Sequence, residues 1–165
     1  MKTVIFILAL MAIDLQSDST ASIQVSYSKE QLQTAVYKTA KKKRMNPNIA
    51  LAIAEVESTW NPNAVRYEPK GNTYSVGLFQ MYMPTAKDLG FVGDLEALKK
   101  PGRNITLGVE HLAKCQRKHG NDVRRVACCH NAGLYIRDSV CKNDTWVIHY
   151  QNKVEKAYKT YKGVF

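Results

Sequence analysis

Residues 53–62 read I-A-E-V-E-S-T-W-N-P, two carboxylates one residue apart in an apolar stretch that stops at Asn61-Pro62. A helix turns about 100 degrees per residue, so Ile49, Val56 and Trp60 fall within about 60 degrees of Ile53 and define a core stripe. Glu57 lies about 40 degrees from Ile53 on the other flank, and Glu55 about 160 degrees away. This geometry predicts Glu55 in solvent and Glu57 at the margin of an apolar face. A carboxylate against apolar surface loses hydration, which favours the proton-carrying form that a general acid needs. A surface ion pair with one of the many Lys and Arg residues is the bland alternative for a marginal glutamate.

The elements that must position these acids are mostly helical. Glu30 to Arg44 carries Leu32, Val36 and Ala40 on one side and lysines on the other, an amphipathic surface helix. Asn46 and Pro47 supply an N-cap and a first-turn proline for the next helix, which runs to about Thr59. Asn61 to Ser75 holds two prolines, a glycine and three asparagines with no sustained period, and reads as a functional loop or short-hairpin insertion. Pro84 opens a short helix over Thr85 to Leu89, and another follows at Asp94 to Lys100. Ile105, Val109 and Leu112 mark a helix ended by Gly120, and Asn121 is placed to cap the next, which ends at Gly133. Val147, Tyr150, Val154, Tyr158 and Tyr161 mark a C-terminal helix. The expected architecture is one mostly α domain with a loop-rich insertion beside its second helix.

Composition narrows the setting of that domain. Lys2, the apolar run Thr3 to Ile13 and the small residues ending at Ala21 have the pattern of a secretory signal peptide, so residues 1–21 are expected to be removed. The remaining chain, 22–165, would be exported to a periplasmic or extracellular space, without stable membrane insertion. Its formal charge rises from +10 to +11 when Lys2, Asp14 and Asp18 leave. Basic residues are scattered apart from K-K-K-R at 41–44, with no nucleic-acid motif beside them, so an anionic wall or surface is the expected partner rather than nucleic acid. No exposed amphipathic helix with an aromatic apolar face supports a membrane-disrupting role. Cys115, Cys128, Cys129 and Cys141 are an even set in an exported chain, without the paired C-x-x-C spacing of a zinc site, so disulfides are expected and no metal. A bridge between adjacent Cys128 and Cys129 is geometrically disfavoured, which leaves Cys115 with one of them and Cys141 with the other.

Five short motifs in order carry more than any one alone. E-S-T-W-N-P-N-A at 57–64, S-V-G-L-F-Q at 75–80, M-P-T-A-K-D-L-G at 83–90, H-N-A-G at 130–133 and Y-Q-N-K-V at 150–154 resemble the soluble lytic transglycosylase family, relatives of goose-type lysozyme. The resemblance implies a lysozyme-like, α-rich domain, acting without metal or organic cofactor and expected as a monomer. Its implied substrate is the β-1,4 bond between N-acetylmuramic acid and N-acetylglucosamine in peptidoglycan. It implies Glu57 as sole catalytic carboxylate, first an acid toward the glycosidic oxygen, then a base toward the muramoyl 6-hydroxyl, giving a 1,6-anhydro product. It further implies Ser58 steadying the helix end, Gly77 letting backbone approach the sugar, Gln80 bonding it, Asn131 near the cleaved bond, and Tyr150 reaching the glutamate or the sugar.

The departures from the family pattern are also informative. Q-M-Y-M-P at 80–84 carries one residue more than the usual spacing, so either Tyr82 or Met83 stands at the family's methionine position in the groove. His130 replaces the family's common tyrosine; beside Val123 and Val126 it reads as a satisfied structural histidine, with a titrating neighbour of Glu57 as the alternative. Glu68 in the insertion is the candidate second carboxylate for hydrolysis, although a loop glutamate beside Pro69 is ordinarily solvated. The remaining alternatives are a hydrolytic lysozyme on the same fold and a non-catalytic cationic wall-binding protein.

Overall fold

The computed structural model describes residues 26–163. The expected signal segment, 1–21, lies outside the described residues. Helix α1 (Lys29–Lys42) begins at a capping box: the Ser28 hydroxyl accepts from Gln31 N, and the Gln31 side chain accepts from Ser28 N. Helix α2 (Pro47–Ser58) starts where Asn46 Oδ1 accepts from Asn48 N at 3.0 Å, with proline at its first position. A three-stranded antiparallel sheet follows, β1 (Val65–Glu68), β2 (Thr73–Val76) and β3 (Met81–Tyr82), with a 3-10 turn over Pro69–Gly71. Val65 pairs with Val76 and Ser75 with Tyr82, so the 61–75 insertion is a compact hairpin.

The rest is helical: α3 (Met83–Asp88), α4 (Leu95–Lys99), α5 (Pro101–His119), α6 (Val123–Ala132), α7 (Asp138–Asn143) and α8 (Thr145–Tyr161). Gly120 and Gly133 end α5 and α6 as expected, both at positive φ. The cap of α6 is Asp122 rather than Asn121: its carboxylate accepts from Arg125 N at 3.0 Å and places its charge at the positive end of the helix. Helix α7 was not foreseen, because six residues (D-S-V-C-K-N) are too few to display a period.

Helix α2 is central rather than amphipathic. Ile49 to Ala54 are all fully buried, sheathed by α1 and α8, and the alanines at 50, 52 and 54 let those neighbours approach. Around this axis Phe79, from the turn before β3, inserts against α5 where Gly108 leaves room. The cysteines pair as Cys115–Cys129 and Cys128–Cys141, so consecutive residues of α6 are tied in opposite directions, to α5 and to α7. Val147 and Cys141 form a small satellite core with Cys128 under the start of α8. Among the described residues no helix is long and apolar enough to cross a membrane.

Two glycines on α5 give a paired test. A Cβ at Gly108 would stand 2.4 Å from Phe79 Cγ, whereas one at Gly102 would meet nothing within 4 Å. Gly108→Ala is therefore expected to destabilise by about 1–3 kcal/mol through overpacking, and Gly102→Ala to be neutral or stabilising by at most about 1 kcal/mol. Chemical denaturation of both variants measures this, and equal responses would refute the packing role of Gly108.

Candidate active site

The last turn of α2 leaves the core where α6 and α8 meet, and Glu57 stands there with 9% of its side chain exposed. Its Oε1 accepts a hydrogen bond of 2.6 Å from Tyr150 Oη of α8, and His130 Nε2 of α6 lies 3.2 Å from the same oxygen. Burial drives the Tyr150 hydroxyl well above its ordinary pKa, and the charge of Glu57 adds to the shift, so the phenol remains a donor. Behind His130, the ring of His111 sits 5.4 Å away, centroid to centroid. Burial, then the repulsion of His130 and Lys114, pushes His111 down to about 3, so this imidazole is neutral at physiological pH.

Glu57 opens into a cavity of about 700 Å³. One wall is the hairpin, with Arg66, Glu68, Lys70 and Ser75; the floor continues through Gln80, Met81 and Tyr82; the opposite wall is α6, His130 to Gly133, with Trp146 at the rim. Glu68 lines this cavity, half-buried: the antiparallel register pairs it with Thr73 and Arg66 with Ser75, and its side chain reaches diagonally to Ser75 on the same face. Its Oε1 accepts from Ser75 Oγ at 2.7 Å and from Arg66 Nε at 2.8 Å. Burial opposes its charge, but these hydrogen bonds and the Arg66 guanidinium outweigh that and hold its pKa below the usual carboxylate value.

The sequence model of the transglycosylase SLT domain family matches residues 34–153, well over half of the chain. The chain belongs to the transglycosylase SLT domain family. Over 95 residues it is 35% identical to a Haemophilus influenzae protein provisionally named a soluble lytic murein transglycosylase, covering 54% of this chain and 15% of that protein. Among solved structures it resembles the 70-kDa soluble lytic transglycosylase of Escherichia coli, with a TM-score of 0.65 at 21% identity, covering 79% of this chain and 24% of that one. It also resembles a 70-kDa soluble lytic transglycosylase in complex with bulgecin A, with a TM-score of 0.52 at 22% identity, over 78% of this chain and 20% of that one. The SLT domain thus spans less than a quarter of the length of each of these relatives.

Within the SLT domain the residues singled out from sequence divide into two groups. Glu57, Glu68, Gln80, Tyr82 and Asn131 line the cavity. Ser58, Gly77, Met83 and Tyr150 do not, Tyr150 reaching the site through Glu57. Ser58 Oγ donates to Ala54 O at 3.3 Å and to Leu78 O at 3.0 Å, bracing the helix end against the turn. Gly77, at φ +76, makes room for Asn104, whose amide would lie 2.4 Å from a Cβ there. Met83 begins α3 and packs against the core, whereas Met81 and Tyr82 line the cavity. The Gln80 amide nitrogen is committed to Ala64 O and Gly77 O. His130 is not a satisfied structural histidine: its Nδ1 is buried without a partner among the described residues. Arg66, Lys70, His111 and Trp146 escaped the sequence reading, since only the fold brings them to the cavity. The 62% exposure of Trp146 at the start of a helix offers no periodic signal.

Glu55 corrects the helical projection. It is half-buried rather than free in solvent: it accepts from Tyr161 Oη at 2.7 Å and from Trp60 Nε1, and pairs with Lys29 Nζ at 3.2 Å. The projection fails because Lys29 of α1 and Tyr161 of α8 partly cover the face it assigns to water, and because Trp60 lies beyond the helix at φ +66 yet folds back into the core. Burial opposes the charge of Glu55, but the hydrogen bonds from Tyr161, Trp60 and Lys29 outweigh it and hold its pKa below the ordinary 4.5. A depressed carboxylate stabilises the fold above its unfolded pKa and loses that contribution as pH falls through the folded value. Glu55→Gln is therefore expected to lower stability at about pH 7, with the gap to wild type closing toward about pH 3. Urea unfolding at both pH values measures it, and a gap that does not close would refute the ionised latch.

Proposed function

We propose that this SLT domain cleaves the β-1,4 bond between N-acetylmuramic acid and N-acetylglucosamine in peptidoglycan by intramolecular transfer, leaving a 1,6-anhydromuramoyl end. The observation that carries the reading is Glu57, a nearly buried carboxylate opening into the cavity with one oxygen held by Tyr150. Glu57 gives its proton to the glycosidic oxygen as the bond to the anomeric carbon breaks, and the N-acetylglucosamine side leaves as an alcohol. The resulting carboxylate takes the proton from the muramoyl 6-hydroxyl, whose oxygen closes on the anomeric carbon. Glu57 is thereby restored, and neither water nor a second carboxylate is consumed.

Gln80, Tyr82 and Asn131 contact the glycan in this reading, and the exposed indole of Trp146 offers a flat apolar face for a pyranose ring. Ser58 and Tyr150 act on Glu57 and its helix rather than on sugar. The domain works as an exported monomer, in keeping with the signal-like leader and the two disulfides. The full activity, substrates and partners of the longer relatives are carried over only as part of this proposal.

A second reading, hydrolysis, is favoured by one observation: Glu68, with its pKa depressed, lines the same cavity as Glu57. A carboxylate working through water in an inverting enzyme stands about 6.5–9.5 Å from the acid.

Mass analysis of fragments from purified peptidoglycan separates the two. Anhydro ends are expected; fragments heavier by one water would establish hydrolysis, and no cleavage would refute both. Glu57→Gln is expected to reduce cleavage by at least about a hundredfold without unfolding the domain. Glu68→Gln should leave anhydro products in place, whereas its loss of all product would favour the hydrolytic reading.

A further inference from the structure

Glu57 presents two unequal oxygens. Oε1 takes the Tyr150 hydroxyl at 2.6 Å and faces His130 Nε2 at 3.2 Å, while Oε2 has no hydrogen bond among the described residues. His130 is itself enclosed, with 6% of its side chain exposed and Nδ1 buried without a partner. A buried N–H at Nδ1 would be a donor stripped of water with nothing to donate to. A hydrogen on Nε2 instead meets the carboxyl oxygen directly.

We infer that His130 is a positioning residue for Glu57: it donates from Nε2 to Oε1 alongside Tyr150, so that the transferable proton is confined to Oε2. The inference rests on the acid-then-base reading of Glu57 and adds to it the atom that carries the proton. An oxygen has two lone pairs, and the two donors fill both on Oε1. The same pair of hydrogen bonds persists whether Oε2 is protonated, as the acid step requires, or bare, as the base step requires. The site therefore passes between its two roles without reorganising its donors.

The surroundings are consistent with this assignment from every packed element. Glu57 comes from α2, Tyr150 from α8 and His111 from α5; Arg66 and Glu68 of β1 face the group across the cavity. His111 is neutral and so brings no second cation against the ring. Two disulfides fix the segment just before His130, which sets the ring without help from Nδ1.

The test compares His130→Leu, which removes the donor, with His130→Gln, which returns an amide N–H to nearly the same place. Leu is expected to lower kcat about tenfold with KM changed less than about twofold, and Gln to recover most of the loss. A packing role alone would leave Gln no better than Leu, and full activity in the Leu variant would equally overturn the inference. Nitrogen NMR of histidine-labelled wild type reads the tautomer without any turnover: the ring proton is expected on Nε2, and a proton on Nδ1 alone would overturn the assignment. If wild type fails to cleave peptidoglycan, the proposed function falls, while the tautomer measurement still decides which group holds Oε1.

Discussion

The buried amide of Asn104 is the interaction on which the layout of the groove depends. A fully buried carboxamide must satisfy its donors and its acceptor inside the protein, and here one arrangement of segments does so. Its nitrogen donates to Val76 O at 2.8 Å and Leu98 O at 3.1 Å, and its oxygen accepts from Phe79 N at 3.0 Å. A single side chain of α5 thus joins the end of β2, the turn after it and the end of α4. Gly77 is required because any larger residue would occupy the amide's place. Ser58, next to Glu57, holds the same turn from the other side through Leu78 O, and Gly77 N donates to Ala64 O at 2.7 Å. The carboxylate's helix and the cavity floor are in this way built as one piece.

That dependence explains which features were legible in the sequence. Caps are local: Asn46-Pro47, Gly120 and Gly133 announce helix ends through the chemistry of one or two residues, and they stand where expected. The position of Glu57 at the margin of the core was also readable, from helical geometry, and the ordered motifs pointed to the family. What a periodic projection does not contain is who covers the other faces of a helix. Glu55 was misread for that reason, since Tyr161, 106 residues away, and Lys29 cover the face assigned to water. The contact of Tyr150 with Glu57 spans 93 residues, and that of His130 depends on the packing of three helices; periodicity holds no trace of either, and only the resemblance to the family brought Tyr150 toward the glutamate.

The two acids of α2 show how separate environments divide similar groups. Glu55 is surrounded by an ammonium, an indole N–H and a phenol, and serves to tie α1, the end of α2 and the end of α8 together. Glu57 meets a phenol and an imidazole nitrogen, both at Oε1, and lines the cavity. Removing a charge from the first changes a structural junction, whereas removing one from the second changes the only acid on that side of the groove among the described lining residues.

The two walls of the cavity are held by different kinds of bond. The α6 wall is secured covalently, by bridges that close loops of 14 and 13 residues. Loops that short each restrict the unfolded chain by about 3 kcal/mol and act on a neighbourhood more than on the whole domain. The hairpin wall has no disulfide and is held by its strand ladder, with the Arg66, Glu68 and Ser75 hydrogen bonds on its cavity face. One side of the groove is therefore tied covalently and the other by hydrogen bonds and a partly exposed ion pair, so ionic strength and acidity act on the hairpin wall and leave the bridged wall fixed.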